Sequence, residues 1–243
     1  MGQVLLSFWT WFEIGLCAIA GFLMQLVLWL ITLPFDRRRL ITGRFFRLMG
    51  VAAARLTPFW RFGVYGDVPR RIEGRTVFVS NHESQADPFL ISFLPWEMKW
   101  LGKASLFRIP VVGWMMWMAG DIPVRRGDSD SAKEAMAACA RWLECGVPVM
   151  LFPEGTRSTS GELLPFKDGA FRLAIDTGAD LLPLAVSGTR SALPKHSWKF
   201  GRAEGRVTVG TPFSTAGLGP ADVDLLREKV RAEIQTLRSR LGA

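Results

Sequence analysis

The chain has only three cysteines, two histidines and one tyrosine among its 243 residues. Cys17, Cys139 and Cys145 are odd in number and lack CxxC spacing, which argues against a disulfide framework and against a zinc site. A reducing cytoplasm is therefore the simpler setting, and we expect no bound metal. The basic helix, zinc spacing and aromatic sheet motif of nucleic-acid modules are also missing, so nucleic acid is not an expected partner.

Apolar residues, in contrast, are plentiful, and the charge is strongly one-sided. They make up 49% of the chain against 21% charged residues, which predicts a packed core and excludes global disorder. Seventeen Phe and ten Trp predict apolar contact surfaces in addition to that core. The formal net charge of +8 suits an anionic partner, such as a lipid headgroup surface or a phosphorylated substrate.

One long uncharged run lies near the N-terminus, at residues 14–35, and its 22 residues could cross a hydrocarbon core. A cleaved signal peptide is disfavoured, because the start has no Lys or Arg and no A-x-A-like site ends the run. The arginines that follow it would hold the C-terminal side in the cytoplasm. Two interpretations stay open: a single spanning helix, or a pair of helices or a re-entrant hairpin in one leaflet. A buried core helix is disfavoured.

The rest of the chain alternates between strand and helix patterns, which predicts an α/β domain over residues 63–243. Residues 1–62 form a membrane-associated helical region, ending in a basic amphipathic helix over 36–62. Short apolar runs predict strands at 75–81, 147–152, 181–187 and 205–210. Helical patterns cover 129–146, 167–179 and 222–241. Several polar clusters follow predicted strands, where such sheets carry their functional sites.

The stretch "NHESQADPF" places His82 and Asp87 after the first of these strands. Pro88 favours a helix starting there with Asp87 as its cap. In a loop before that helix, Asp87 can fold back and orient the imidazole, leaving the second ring nitrogen as a general base. The alternative is a polar turn in which Asp87 only caps the helix. His196 lies in a basic loop without a nearby acid, which indicates a surface residue.

A second polar cluster, "FPEGTRS", follows the next predicted strand. The planar guanidinium of Arg157 suits a phosphate, and Gly155 lets a ligand approach the backbone. Thr156 offers a hydroxyl, and Glu154 could pair with an arginine or contact a substrate. The alternative is a glycine turn with a surface ion pair. In residues 101–128, Lys103 and Arg126 add charge, and a Trp/Met run predicts core packing or an apolar channel.

Together these stretches resemble the glycerolipid acyltransferase family, and within it the 1-acylglycerol-3-phosphate acyltransferases. "NHESQAD" is similar to the Asn-His-x-x-x-x-Asp motif, and "FPEGTRS" with "LPFKDGAF" is similar to the third motif and its continuation. "GDIPVRR" resembles the second motif, although Pro123 replaces an aromatic residue and Arg125 stands where an acid is common. "LLPLAVSGT" resembles the fourth. The four motifs occur in the family's order over about residues 60–212.

The resemblance implies a fold, a reaction and a set of site residues. The fold is a mixed, mainly parallel sheet flanked by helices, with N-terminal membrane-binding helices. The reaction transfers an acyl chain from acyl carrier protein or coenzyme A to the sn-2 hydroxyl of 1-acylglycerol-3-phosphate, giving phosphatidic acid without a permanent cofactor. The implied residues are catalytic His82 and Asp87; phosphate-binding Arg157, Arg126 and Lys103; acceptor-pocket Glu154, Gly155 and Thr156; and motif-supporting Asn81, Gly120, Pro153 and Pro183.

Three alternatives stay open beside this function. The same chemistry could act on another acceptor, such as a lysophospholipid, a lyso-ornithine lipid or a glycolipid. Water could replace the acceptor, which would make the protein a thioester hydrolase. A catalytically silent module could use its basic helix to bind anionic membrane. In each acyltransferase interpretation, the expected location is the cytoplasmic face of the inner membrane.

Overall fold

The computed structural model describes residues 2–158 and 160–242, and its centre is a seven-stranded sheet. The strand order is β1-β7-β6-β2-β5-β3-β4, and every neighbouring pair is parallel except β6 and β7. The predicted mixed, mainly parallel sheet is confirmed. The strands are β1 (Trp60–Tyr65), β2 (Thr76–Ser80), β3 (Lys99–Lys103), β4 (Ile122–Val124), β5 (Val149–Leu151), β6 (Asp180–Ser187) and β7 (Ala203–Val209).

Helices cover both faces of this sheet. They are α1 (Gly2–Thr32), α2 (Leu40–Leu56), α3 (Asp87–Ile91), α4 (Val112–Ala119), α5 (Ser129–Glu144), α6 (Gly169–Thr177) and α7 (Val223–Arg240). The first four pack together on one face, and the last three pack on the other. The predicted helix over 36–62 is wrong at its end, because residues 60–62 begin β1 and pair with β7. β1 therefore runs across the predicted boundary between residues 62 and 63.

The central strand β2 shows how the core is divided between the two faces. All five of its residues are buried, as expected for a strand covered on both sides. Val77 and Val79 belong to the apolar cluster under α5, α6 and α7. Phe78 points the other way, into a cluster with Leu90 of α3. Each such side chain contributes about 1.5–3 kcal/mol by leaving water, which fixes the strand between its two helical layers.

Because β2, β5, β6, β3 and β4 are parallel, the loops that follow them emerge at one edge of the sheet. These loops begin at residues 81, 152, 188, 104 and 125. The "NHESQAD", "FPEGTRS" and "GDIPVRR" stretches are thus brought together from positions far apart in the chain. The sheet topology alone predicts that any shared site lies at this carboxyl edge.

The long helix α1 has its polar side chains turned towards the protein and its apolar side chains outwards. Gln25 donates to the carbonyl of Met115 at 3.1 Å, and Glu13 accepts from the Thr57 hydroxyl at 3.3 Å. This is the reverse of a surface helix in water. The large exposed apolar side chains are Leu5, Leu6, Phe8, Trp9, Trp11, Phe12, Leu16, Ile19, Leu23, Met24, Val27, Leu30 and Ile31.

By length and composition α1 could cross a membrane, and only 11% of its most apolar stretch is buried in the protein. That exposure rules out the interpretation of a buried core helix. The neighbouring Trp/Met run divides in the same way: Met115, Met116 and Met118 pack inside, as the core interpretation predicts. Trp114 and Trp117 remain more than half exposed beside α1, so the apolar face extends onto α4.

Candidate active site

His82 and Asp87 are in direct contact in the loop that follows β2. Nδ1 of His82 lies 2.7 Å from Oδ2 of Asp87, and the aspartate is completely buried. Since a carboxylate oxygen only accepts, Nδ1 carries a proton, and in the neutral imidazole the lone pair is then on Nε2. His82 keeps 8% of its surface exposed.

The Asp87 carboxylate is held by four donors. Oδ2 also accepts from the backbone N–H groups of Glu83 at 2.7 Å and Ser84 at 2.9 Å. Oδ1 accepts from the hydroxyl of Thr189, which lies just beyond β6 and is itself fully buried. The predicted capping role of Asp87 is wrong: α3 begins at Asp87, and the carboxylate turns back to the loop because its donors lie there.

A stacked aromatic ring limits the tilt of the His82 imidazole. The His82 ring lies over Phe152, with centroids 4.0 Å apart and planes inclined by 16°. Phe152 follows β5, the strand beside β2, so the sheet register brings the two rings together. The aspartate fixes the ring in its plane and Phe152 fixes its tilt. Sequence reasoning missed both Thr189 and Phe152 as site residues, although both lie inside the quoted motifs.

Glu154 joins the two principal loops through the backbone. Its Oε1 accepts from the N–H of His82 at 2.8 Å, and its Oε2 accepts from the N–H of Leu164 at 3.0 Å. The N–H of Ser158 in turn donates to the carbonyl of His82 at 2.8 Å. Glu154 is 4% exposed, and burial raises its pKa while the two backbone donors oppose that shift. Neither oxygen is bonded to an arginine, which corrects the interpretation of an arginine partner.

The turn after Glu154 requires glycine. Gly155 has φ +68°, a left-handed conformation that a side chain disfavours. A Cβ there would lie 3.1 Å from Nζ of Lys167, so this lysine side chain lies across the turn. The backbone N–H of Lys167 donates to the carbonyl of Pro153 at 2.9 Å. Thr156 follows, half-buried. Lys167 is thus a further cation at this edge of the sheet.

Arg157, Arg126 and Lys103 lie near the same edge as His82. Partial burial and then the nearby Arg126 lower the pKa of the Arg157 guanidinium, while Asp87 opposes this. Lys103 pairs in register with Val124, two residues before Arg126. Among residues 2–158 and 160–242, none of the three forms an ion pair. Arg125 differs, because it bonds Asp128 at 2.8 Å.

The four motif-supporting residues act on the scaffold. The amide of Asn81 makes two 2.9 Å bonds to the backbone of Val186, extending the contact of β2 with β6. Pro153 supplies the carbonyl that holds Lys167. Pro183 lies inside β6 just before the ladder with β7 starts, where its missing N–H is tolerated. Gly120 ends α4 with φ +81° beside the ring of Trp142.

Comparison with known proteins identifies the family. The family model described as Acyltransferase matches residues 61–187, which is just over half of the chain and includes the loops after β2, β3, β4 and β5. The chain belongs to the acyltransferase family. The predicted resemblance is confirmed. No group of three or more His, Cys, Asp or Glu among the described residues could hold a metal ion.

Curated acyltransferases resemble this chain at about one third identity. The chloroplastic 1-acyl-sn-glycerol-3-phosphate acyltransferase BAT2 of Brassica napus is 35% identical over 90% of this chain and 64% of the relative. The Haemophilus influenzae 1-acyl-sn-glycerol-3-phosphate acyltransferase is 33% identical over 61% of this chain and 63% of the relative. The human alpha form is 34% identical over 66% and 58%. This chain therefore spans less than two thirds of the length of these relatives.

A solved structure shares the acyltransferase fold. The 1-acyl-sn-glycerophosphate (LPA) acyltransferase PlsC from Thermotoga maritima matches 99% of this chain and 96% of its own, with a TM-score of 0.81 at 24% identity. At that identity the likeness establishes the fold. Because the match covers 99% of this chain, it includes the N-terminal region.

Proposed function

We propose that this acyltransferase transfers an acyl chain from an acyl thioester to the sn-2 hydroxyl of 1-acylglycerol-3-phosphate, giving phosphatidic acid. One observation carries the proposal: a buried His82–Asp87 pair shares the sheet edge with Arg157 and Arg126, which no carboxylate of residues 2–158 and 160–242 binds. The pair supplies a base for a hydroxyl, and the arginines supply a site for a phosphate. The names of the relatives support the same acceptor.

In the mechanism, Nε2 of His82 takes the proton from the acceptor hydroxyl as the oxygen attacks the thioester carbonyl. Asp87 holds the ring and stabilises the imidazolium, as a carboxylate does in related His–Asp pairs. The tetrahedral intermediate collapses, the C–S bond breaks, and the imidazolium gives its proton to the leaving thiolate. Two products result, the acylated acceptor and the free thiol, and no acyl-enzyme forms. The chain needs no permanently bound cofactor for these steps.

The acceptor phosphate is bound by Arg157 with Arg126 and Lys103. Arg157 is half-buried, so its planar fork offers two directed hydrogen bonds in a partly desolvated position. Gly155 and Thr156 line the acceptor pocket, where the left-handed glycine lets a ligand approach the backbone. Glu154 acts by holding the backbone of His82. The acyl donor is a thioester of acyl carrier protein or coenzyme A.

Membrane association follows from α1, which lies in one leaflet at the cytoplasmic face of the membrane. The helix is about 46 Å long at 1.5 Å per residue. It contacts the α/β part at both ends, through Trp11 and Trp198 near its start and Trp29 and Trp117 near its end. A spanning helix would have its ends on opposite sides of the bilayer. The contacts at both ends therefore favour the one-leaflet interpretation.

The test compares two histidine variants of the purified protein in a transfer assay with lysophosphatidate and either donor. His82→Ala should lower kcat by about 10²–10⁴-fold, because it removes the base. His196→Ala is the matched control, since His196 is exposed and should leave kcat unchanged. A folded His82→Ala variant with near-normal turnover would refute the base assignment.

Product analysis in the same assay separates the alternatives. Free fatty acid in place of phosphatidic acid would indicate thioester hydrolysis. Faster transfer to a lysophospholipid, lyso-ornithine lipid or glycolipid than to lysophosphatidate would identify that lipid as the acceptor and leave the proposed mechanism unchanged. Salt-sensitive membrane binding without transfer to any of these acceptors would favour the catalytically silent module.

A further inference from the structure

A short segment at residues 194–200, "PKHSWKF", is bonded to the first part of α1 and has no role in the proposed chemistry. The indole N–H of Trp11 donates to the carbonyl of Trp198 at 2.9 Å. The N–H of Phe200 donates to the hydroxyl of Ser7 at 3.0 Å, and the amide of Gln3 donates to the Phe200 carbonyl at 3.3 Å. Three hydrogen bonds between side chains of α1 and the backbone of the 194–200 segment thus hold this segment at the N-terminal end of α1.

The 194–200 segment extends the exposed apolar face of α1. The ring of Trp198 lies 5.2 Å from that of Phe8, and the two side chains are 45% and 62% exposed. On the inner side, the Trp11 and Phe200 rings are 5.0 Å apart, and Phe200 is buried. Trp198 is therefore held rigidly at the border of the apolar face, the position that tryptophan favours at a membrane–water interface.

The same part of the chain is strongly basic. Between Arg190 and Arg202, the sequence has four Lys or Arg and no Asp or Glu. Lys199 is exposed and Lys195 is half-buried, and neither forms an ion pair within the described part of the chain. Their ammonium groups can therefore reach outward beside Trp198 while their stems stay near the apolar surface.

We propose that the 194–200 segment is a second membrane-binding element that selects anionic lipid, with Trp198 in the interface and Lys195 and Lys199 on headgroup phosphates. Two observations identify the occupant: the segment is continuous with the apolar face of α1, and its charge complements an anionic bilayer. At the other end of α1, Arg37 and Arg38 are also exposed. Cations at both ends would hold α1 parallel to one headgroup layer.

The inference rests on the proposed membrane location of α1, and vesicle binding tests the two separately. The full chain is sedimented with phosphatidylcholine vesicles, with and without added phosphatidylglycerol, at low and high salt. Lys195→Gln/Lys199→Gln should weaken binding to the anionic vesicles by roughly 20- to 30-fold, as expected for two lysines near a charged surface. Binding to pure phosphatidylcholine should stay unchanged, and high salt should abolish the difference.

The matched control is Lys133→Gln/Lys229→Gln. It removes the same charge from exposed positions on α5 and α7, on the opposite face of the sheet, and should bind like the unaltered chain. Trp198→Ala should weaken binding to both vesicle types, because it removes interfacial area and leaves the charge.

Three outcomes would overturn the inference. The first is an equal loss in both double variants, since net charge alone would then account for it. The second is unchanged anionic binding in Lys195→Gln/Lys199→Gln. The third is a raised KM for acyl carrier protein, measured in detergent with Lys195→Gln/Lys199→Gln, while vesicle binding of that variant is unchanged. The segment would then be a docking site for an acidic protein. Failure of the unaltered chain to bind any vesicle would instead contradict the location of α1.

Discussion

Thr189 allows a direct test of how the proposed catalytic pair, His82 and Asp87, is held in place. Its hydroxyl is the one donor to Oδ1 of Asp87 among the described residues, while the other three donors all bond Oδ2. Thr189→Val keeps the shape of the side chain and removes that donor. A completely buried carboxylate oxygen would be left without a partner, at a cost of about 1.5–3 kcal/mol in the free energy of unfolding. The melting temperature should fall by about 3–12 °C for a chain of this length.

The same change should move the pH dependence of transfer. The lost donor matters most while Asp87 carries its full charge, and less once the imidazolium of His82 has formed beside it. The cost of the lost donor is therefore smaller in the protonated pair, and the acid limb of kcat/KM should move to higher pH. A merely structural role would lower the folded fraction and leave this limb in place.

Two controls make the experiment decisive. Thr189→Ser retains the hydroxyl and should keep the acid limb at its original pH. Thr215→Val removes a buried hydroxyl that donates to the carbonyl of Ala179 at 3.0 Å, away from the site. It should lower the melting temperature without moving the limb. The reasoning would be refuted if Thr189→Val retained the original profile, or if Thr215→Val shifted it equally.

Three further predictions concern other parts of the molecule. Arg157→Ala should raise the acceptor KM by about 10- to 150-fold, since it loses a charged hydrogen bond. Arg157→Lys keeps the charge and should recover part of the lost affinity for the acceptor. An unchanged KM in Arg157→Ala would contradict phosphate binding. Burial raises the pKa of the Cys139 thiol to about 12, so at neutral pH iodoacetamide should label exposed Cys145 and reach Cys139 only after unfolding, as mass spectrometry would show. Arg238→Met should destabilise the fold by up to about 3–5 kcal/mol at pH 7, because it leaves buried Glu83 with only the longer 4.0 Å ion pair to Arg190. Burial and the nearby Asp87 raise the pKa of Glu83, and losing Arg238 should raise it further. The carboxyl then takes up a proton as the pH falls. Denaturation near pH 4 should therefore show a smaller loss of stability in Arg238→Met than denaturation at pH 7.

The sequence predicts the central strands better than the edges of the sheet, for a physical reason. Buried parallel strands such as β2, β5 and β6 are continuous apolar runs, and these runs are visible locally. β4 has three residues and contains Pro123, so it shows neither alternation nor an apolar run. Only three residues separate the end of α2 from the start of β1, and the pairing of β1 with β7 depends on residues 140 or more positions away. Such pairing is decided by the tertiary structure.

In the candidate site, too, contacts between residues close in the chain can be predicted and contacts between distant residues cannot. His82 and Asp87 are five residues apart, so their contact can be predicted from the local chain alone. Thr189 reaches Asp87 across 102 residues, and Phe152 reaches His82 through the pairing of β5 with β2. The available signal was topological: polar or aromatic residues directly after parallel neighbours meet at one edge. Applied to the "SGT" after β6, that rule would have selected Thr189 without any knowledge of the structure.

The polarity of α1 carries information that its average hydropathy does not. A helix crossing the bilayer alone would have no reason to keep Ser7, Glu13 and Gln25 on one side, because polar groups in lipid need partners. In this chain those groups face the protein, and Gln25 bonds the backbone of both α2 and α4. The polar stripe thus fixes α1 against the domain along its length, and the apolar stripe faces away from it. At the proposed membrane location, a helix bound to its own domain in this way would hold the sheet edge at a constant distance from the lipid, which is the geometry that the proposed reaction needs, since its acceptor and product would stay in the membrane.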